Sequence, residues 1–166
     1  MDAAIRKGHP IMFGGIILFS IIEMCIAAWI TAKYNANHNF PNSGLRARVR
    51  YILFISIWTI VLSSLYLGLF LTMAGSMISS VASHFVFLVV TWIFWLAAAA
   101  ALTQSVGGAL DCSTQTKFIY CGQLNALEGF AWLIWVLLTF MLIFVLIRGV
   151  IVARRGEGIA GTMVEV

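Results

Sequence analysis

The chain has 166 residues, 62% of them hydrophobic and only 10% charged, with a net charge of +4 and a mean hydropathy of +1.02. Soluble globular domains run near ~45–50% apolar and ~25% charged, and disordered chains lie further still toward charge, so both classes are excluded. The composition is that of an integral membrane protein.

The first apolar stretch covers residues 10–32. Pro10 opens it and suits a first helical turn, where its missing N–H costs nothing. Arg6 and Lys7 resemble the basic start of a secretory leader. The apolar segment nevertheless exceeds the ~7–15 residues of such leaders, contains Glu23 and lacks a small-residue cleavage site, so it is read as a retained span. Residues 51–110 contain no Asp, Glu, Lys or Arg. As one helix they would measure ~90 Å, about three times the hydrocarbon core, so the chain must turn within them. The turn chemistry lies at 74–80, where Gly75 can end one helix and Ser79 or Ser80 can cap the next. Spans at 51–73 and 81–103 follow, and 126–148 supplies a fourth. Barrel strands would be shorter and would alternate with polar lumen residues. The expected fold is all-α: a four-transmembrane-helix bundle with short loops over 10–148, between tails at 1–9 and 149–166.

Four spans put both termini on one side. Lys and Arg do not choose which: Arg6, Lys7, Arg148, Arg154 and Arg155 face Lys33, Arg46, Arg48, Arg50 and Lys117, a tie. Cysteine breaks it. Cys25 lies within the first span and reads as a small buried residue. Cys112 and Cys121 share the third loop, 104–125, where the simplest reading is a local disulfide, which needs an oxidising compartment. Zinc is the poorer rival, since no His or third Cys accompanies them there. A bridge would make loops one and three extracytoplasmic and the termini cytosolic. Arg46, Arg48 and Arg50 then lie outside, either as a solvated flank, the favoured reading, or as a patch for outer-leaflet or wall anions. Arg148, Arg154 and Arg155 form a basic cytosolic flank.

Glu23 sits near the middle of its span, where a charge costs ~2.5–3.5 kcal/mol on insertion scales, so it should face other helices. Ser20, Glu23, Ala27 and Thr31 are spaced as one helical face, and Ser56, Thr59 and Ser63 form a matching stripe on the second span. Trp92, Trp95 and Trp135 lie at similar depth with indole N–H donors. The structural reading is a neutral Glu23 hydrogen-bonded inside the bundle; the functional one is a proton-coupled carrier. The first is preferred because no second ionisable group accompanies it. His84 reads as an interfacial surface residue, and Glu128 as a carboxylate at the positive end of span four. Ala97, Ala99 and Ala101 mark a thin wall for close helix approach.

No phosphate-binding glycine loop, metal-spaced His/Glu set or Ser-His-Asp grouping occurs, so no catalytic residue, metal or cofactor is expected. The positive charge is split between two membrane faces and implies no nucleic acid. Four short-looped spans, the segment Thr91-Trp92-Ile93-Phe94-Trp95-Leu96-Ala97-Ala98, and the loop Cys112…Cys121-Gly122-Gln123-Leu124-Asn125-Ala126 resemble the MARVEL-domain proteins. Among these the chain is most like small fungal members of eisosome-type plasma-membrane compartments. The resemblance implies a non-enzymatic, membrane-organising role with lateral self-association and homo-oligomers. It also implies association with membrane lipids of sterol or sphingolipid type, no small-molecule substrate, and a luminal Cys112–Cys121 pair. The rivals are a small proton-coupled antiporter using Glu23 and an accessory subunit of a larger membrane complex.

Overall fold

The computed structural model describes residues 2–72 and 81–154. The expected hairpin at 74–80, Arg155 and the rest of the C-terminal tail lie outside the described residues. Four helices make up almost all of what is described: α1 (Asp2–Asn37), α2 (Ser43–Thr72), α3 (Val81–Val106) and α4 (Cys121–Arg154). Each contains a stretch long and apolar enough to cross a membrane. α1 packs most extensively on α2 and α3 on α4, while α1–α4 and α2–α3 contacts close the ring into a four-helix bundle.

All four helices overrun the apolar stretches that announce them, because a helix ends at a cap and not at the hydrocarbon edge. α1 begins before Pro10, which therefore lies inside the helix rather than in its first turn. α2 starts at Ser43, where the Asn42 side-chain oxygen accepts the Leu45 N–H at 2.6 Å, the cap preferred at this position. Arg46, Arg48 and Arg50 are consequently helical. α3 ends at Gly107 and Gly108, whose φ values of +88° and +91° let both N–H groups return to the Thr103 carbonyl at 2.8 and 3.1 Å. Only glycine adopts that left-handed turn without strain. α4 begins at Cys121, so the third loop is shorter than 104–125.

The interior seam follows a 3–4 spacing. On α1 the buried positions are Phe13, Ile16, Ser20, Glu23, Ala27, Ile30 and Tyr34. On α2 they include Leu45, Val49, Ile52, Ser56, Thr59 and Ser63, and on α4 Leu124, Leu127, Ala131, Ile134, Leu138, Met141 and Val145. A repeat of 3.5 keeps one stripe facing its neighbours along a left-handed bundle. The α1 polar stripe thus continues through Ile30 and Tyr34; Thr31 lies at its margin, half-buried. Cys25, expected inside, is instead exposed on the outer face of α1, since it lies two residues beyond Glu23 and the helix has turned away.

Candidate functional site

Inside the bundle, polar side chains pair chiefly as indole donors on threonine acceptors. Thr59 donates to the Ile55 carbonyl of its own helix at 2.8 Å and accepts the Trp95 Nε1–H at 2.9 Å. Ser56 likewise donates to the Ile52 carbonyl at 2.8 Å, and Ser63 is buried beside them on the same face. Across α3 and α4, Trp92 Nε1 donates to Thr139 Oγ1 at 2.8 Å. Trp132 Nε1 donates to Thr103 Oγ1 at 3.0 Å, and Thr103 in turn donates to Glu128 Oε1 at 2.7 Å. Thr91, Thr103 and Thr139 escape a reading by charge and stripe, because a lone threonine in an apolar run carries no signal until a partner helix faces it.

Glu23 is fully buried, but neither carboxyl oxygen has a hydrogen-bond partner among the described residues, and the same holds for Ser20 Oγ. The expected hydrogen-bonded Glu23 is therefore corrected. Thr59 is occupied by Trp95, and Trp92 is spent on Thr139. Trp135, whose Nε1 has no acceptor among the described residues, packs tilted on Trp92 and edge-to-face on Trp132, with ring centres 5.4 and 5.5 Å apart. The indoles thus belong to the α2–α3 and α3–α4 seams.

Two further readings change. His84 is buried rather than on the surface, with its ring 4.6 Å from Tyr66 and 6.2 Å from Phe13. Glu128 lies two turns inside α4, because the helix starts earlier than the apolar run, and it serves as acceptor for Thr103. Replacing Thr103 by Val removes an acceptor from Trp132 and a donor from Glu128 while keeping the volume. A loss of about 1 kcal/mol is expected, in line with interhelical hydrogen bonds in lipid, measured by SDS-titrated unfolding in mixed micelles.

The loop end is built around Tyr120. Its ring packs on Trp29 and Tyr34 at 5.2 and 5.5 Å, and its hydroxyl accepts the side-chain amides of Asn39 and Asn37 at 3.0 and 3.1 Å. Those two donors hold the phenol below its usual pKa, Asn39 foremost. Cys112 and Cys121 are bridged, with their Cα atoms 5.7 Å apart. Asn125 adds a reciprocal clamp: its oxygen accepts the Leu110 N–H and its NH2 donates to the Leu110 carbonyl, both at 2.8 Å. Asp111 accepts from the Ser113 hydroxyl and N–H at 2.6 and 3.0 Å, which keeps its carboxyl below the usual range.

The outer surface is apolar on every helix, with Leu18, Phe54, Val61, Ile93, Phe140 and Ile147 among its exposed side chains. A cleft of about 610 Å³ opens between α2 and α3, lined by Trp58, Leu62, Tyr66, Phe87 and Val90 among others. Ala97, Ala99 and Ala101 do not form one packing face: Ala99 is in the core, Ala97 is exposed and Ala101 is half-buried. Residues two apart on a helix lie about 200° from each other, so Ala99 cannot share a side with Ala97 and Ala101. Within the alanine run of α3 the outward positions are Ala97 and Ala100. Arg148 lies half-buried in the last turns of α4.

Among curated proteins nothing matches the chain, and no solved structure matches it either. The family model described as MARVEL, a membrane-associating domain, matches residues 4–144 and so takes in α1, α2, α3 and most of α4. With four membrane-crossing helices, an inward polar seam and a disulfide-pinned third loop, this chain belongs to the MARVEL family of membrane-associating domains.

Proposed function

We propose that the protein is a non-enzymatic membrane organiser that self-associates in the bilayer and gathers lipid and neighbouring proteins into plasma-membrane or vesicle domains. The carrying observation is the contrast between seam and surface. Apart from Ser64 on α2, the polar side chains in the middle of the spans are turned inward or paired between helices, and what remains outside is chiefly apolar side chain on all four helices. Hydrocarbon supplies no hydrophobic drive between helices, so association there depends on close packing, which small residues permit. Ala97 and Ala100 are the outward small pair on α3, and the α2–α3 cleft gives a lipid chain or ring system a place to lie. The bridged loop supports an extracytoplasmic third loop and cytosolic termini, with Arg148, Arg154 and Arg155 toward an anionic leaflet at about 1 kcal/mol each. The resemblance to small fungal eisosome-associated members supports a plasma-membrane compartment and sterol- or sphingolipid-type neighbours.

The test is clustering. In cells, single-molecule brightness of the tagged protein should show homo-oligomers, and Ala97→Phe or Ala100→Phe should shift them toward monomers while the monomer stays folded. Evenly diffusing monomers of the unaltered protein would defeat the reading. Ala99→Phe belongs to a different class, since that position is in the core and overpacking there strains the fold itself.

A further inference from the structure

The α2 arginines carry an arrangement that self-association does not use. Arg46 and Arg50 are four residues apart and so share a helical face, and both direct Nη2 to one atom, the Asn35 side-chain oxygen, at 2.7 and 3.0 Å. Two guanidinium groups are thereby held side by side on a neutral acceptor. Arg48, on another side of α2, reaches Gln104 of α3 at 3.4 Å. Each guanidinium has five N–H donors in a planar fork, so one shared amide oxygen leaves most of them unspent. Arg46 is also braced over the Phe40 ring at 4.9 Å, and its Nε is buried with no partner among the described residues. Loop three contributes one carboxylate near this end, Asp111, and that is committed to Ser113. Among the described residues no carboxylate is paired with either guanidinium, so the pair is a cradle open to an anion.

What lies beneath it identifies the occupant. Below Arg50, the exposed positions Phe54, Ile57, Val61 and Leu65 continue down the outer side of α2. From residue 50 to 65 the stripe runs ~22 Å, well over half the ~30 Å hydrocarbon thickness. A cationic fork heading a long apolar track fits a molecule with a phosphate at one end and an acyl chain at the other. Arginine forks receive phosphate through paired, charge-assisted hydrogen bonds.

We propose that Arg46 and Arg50, aligned by Asn35, bind the phosphate of a membrane phospholipid whose acyl chain lies along Phe54, Ile57, Val61 and Leu65. The site rests on the lipid-association part of the proposed function and is independent of the self-association part. Full-length protein in detergent is titrated with dioleoyl phosphatidylglycerol, with dioleoylglycerol (the same chains without phosphate) and with inorganic phosphate, and bound lipid is read by native mass spectrometry. Phosphatidylglycerol should bind tightest. The double variant Arg46→Gln/Arg50→Gln should bind it about thirtyfold more weakly, from roughly 1 kcal/mol per arginine, while Arg48→Gln leaves binding unchanged. Asn35→Asp keeps both arginines and the shape but supplies an internal anion, and it should also weaken binding severalfold. That variant keeps the proposal testable should the double variant fail to fold. Equal binding by the double variant and by Asn35→Asp, or equal binding of dioleoylglycerol, overturns the site. Full displacement of the lipid by equimolar inorganic phosphate overturns the lipid as its source. Loss of lipid binding with clusters intact separates this site from self-association.

Discussion

Glu23→Lys is expected to prevent the bundle from assembling, whereas Glu23→Gln leaves it folded. Position 23 is fully buried on the α1 seam and lies midway along the span Pro10–Asn37. A lysine there is longer than the side chain it replaces and too deep to reach an interface. Its charge would have no counterion, since the one carboxyl at this position has been removed. An uncompensated buried charge costs about 3–5 kcal/mol, a large part of the total stability of a small domain. Glutamine keeps the volume and the polar atoms, and the native carboxyl oxygens have no hydrogen-bond partner among the described residues to lose. Its change in stability should stay within about 1 kcal/mol. SDS-titrated unfolding and size-exclusion of the two variants read the difference. Proton-driven efflux of a cationic dye by reconstituted protein, abolished by Glu23→Gln, would instead assign this carboxyl to transport and promote the antiporter.

Removing the bridge with Cys112→Ser and Cys121→Ser should cost about 2.5 kcal/mol, the loop-closure entropy of a short ring for a sequence separation of 9. The loss should appear first in the loop. The Asn125–Leu110 clamp still holds one end of it, so the helices remain assembled while the loop exchanges more freely. Hydrogen exchange at 107–120 is the direct measurement, with α1 and α2 as internal controls. The same cysteines report topology. Membrane-impermeant maleimide should label them in intact cells only after reductant, and labelling of both without reductant would rule the bridge out. Protease removal of a C-terminal tag from outside the cell would invert the proposed orientation.

Why some of this was legible in residues alone is clearest on α1 and α2. A carboxylate or hydroxyl in an apolar run is expensive toward lipid, so Ser20, Glu23, Ser56, Thr59 and Ser63 announce their own facing, and all five are buried. The alanines give no such signal. On helices apolar all round, hydrophobicity does not separate the core side from the lipid side, and Ala97, Ala99 and Ala101 scatter to three environments. Cys25 carries no facing signal either, and it lies on the outer face of α1.

The sequence by itself determined the membrane class, four spans, the inward polar stripe and the cysteine pairing, because each rests on a cost paid residue by residue or on a short local loop. Tertiary structure alone decided which donor meets which acceptor. Trp95 faces Thr59, Trp92 faces Thr139, and Trp132 reaches Glu128 through Thr103, pairings set by the rotation and height of one helix against another. It also decided that Glu23 has no hydrogen-bond partner among the described residues and that Arg46 and Arg50 meet over Asn35. Helix caps such as Asn42 and Gly107 extend the helices past the apolar runs, and that extension carries the arginines onto α2. Contacts between helices depend on register, which hydropathy does not encode.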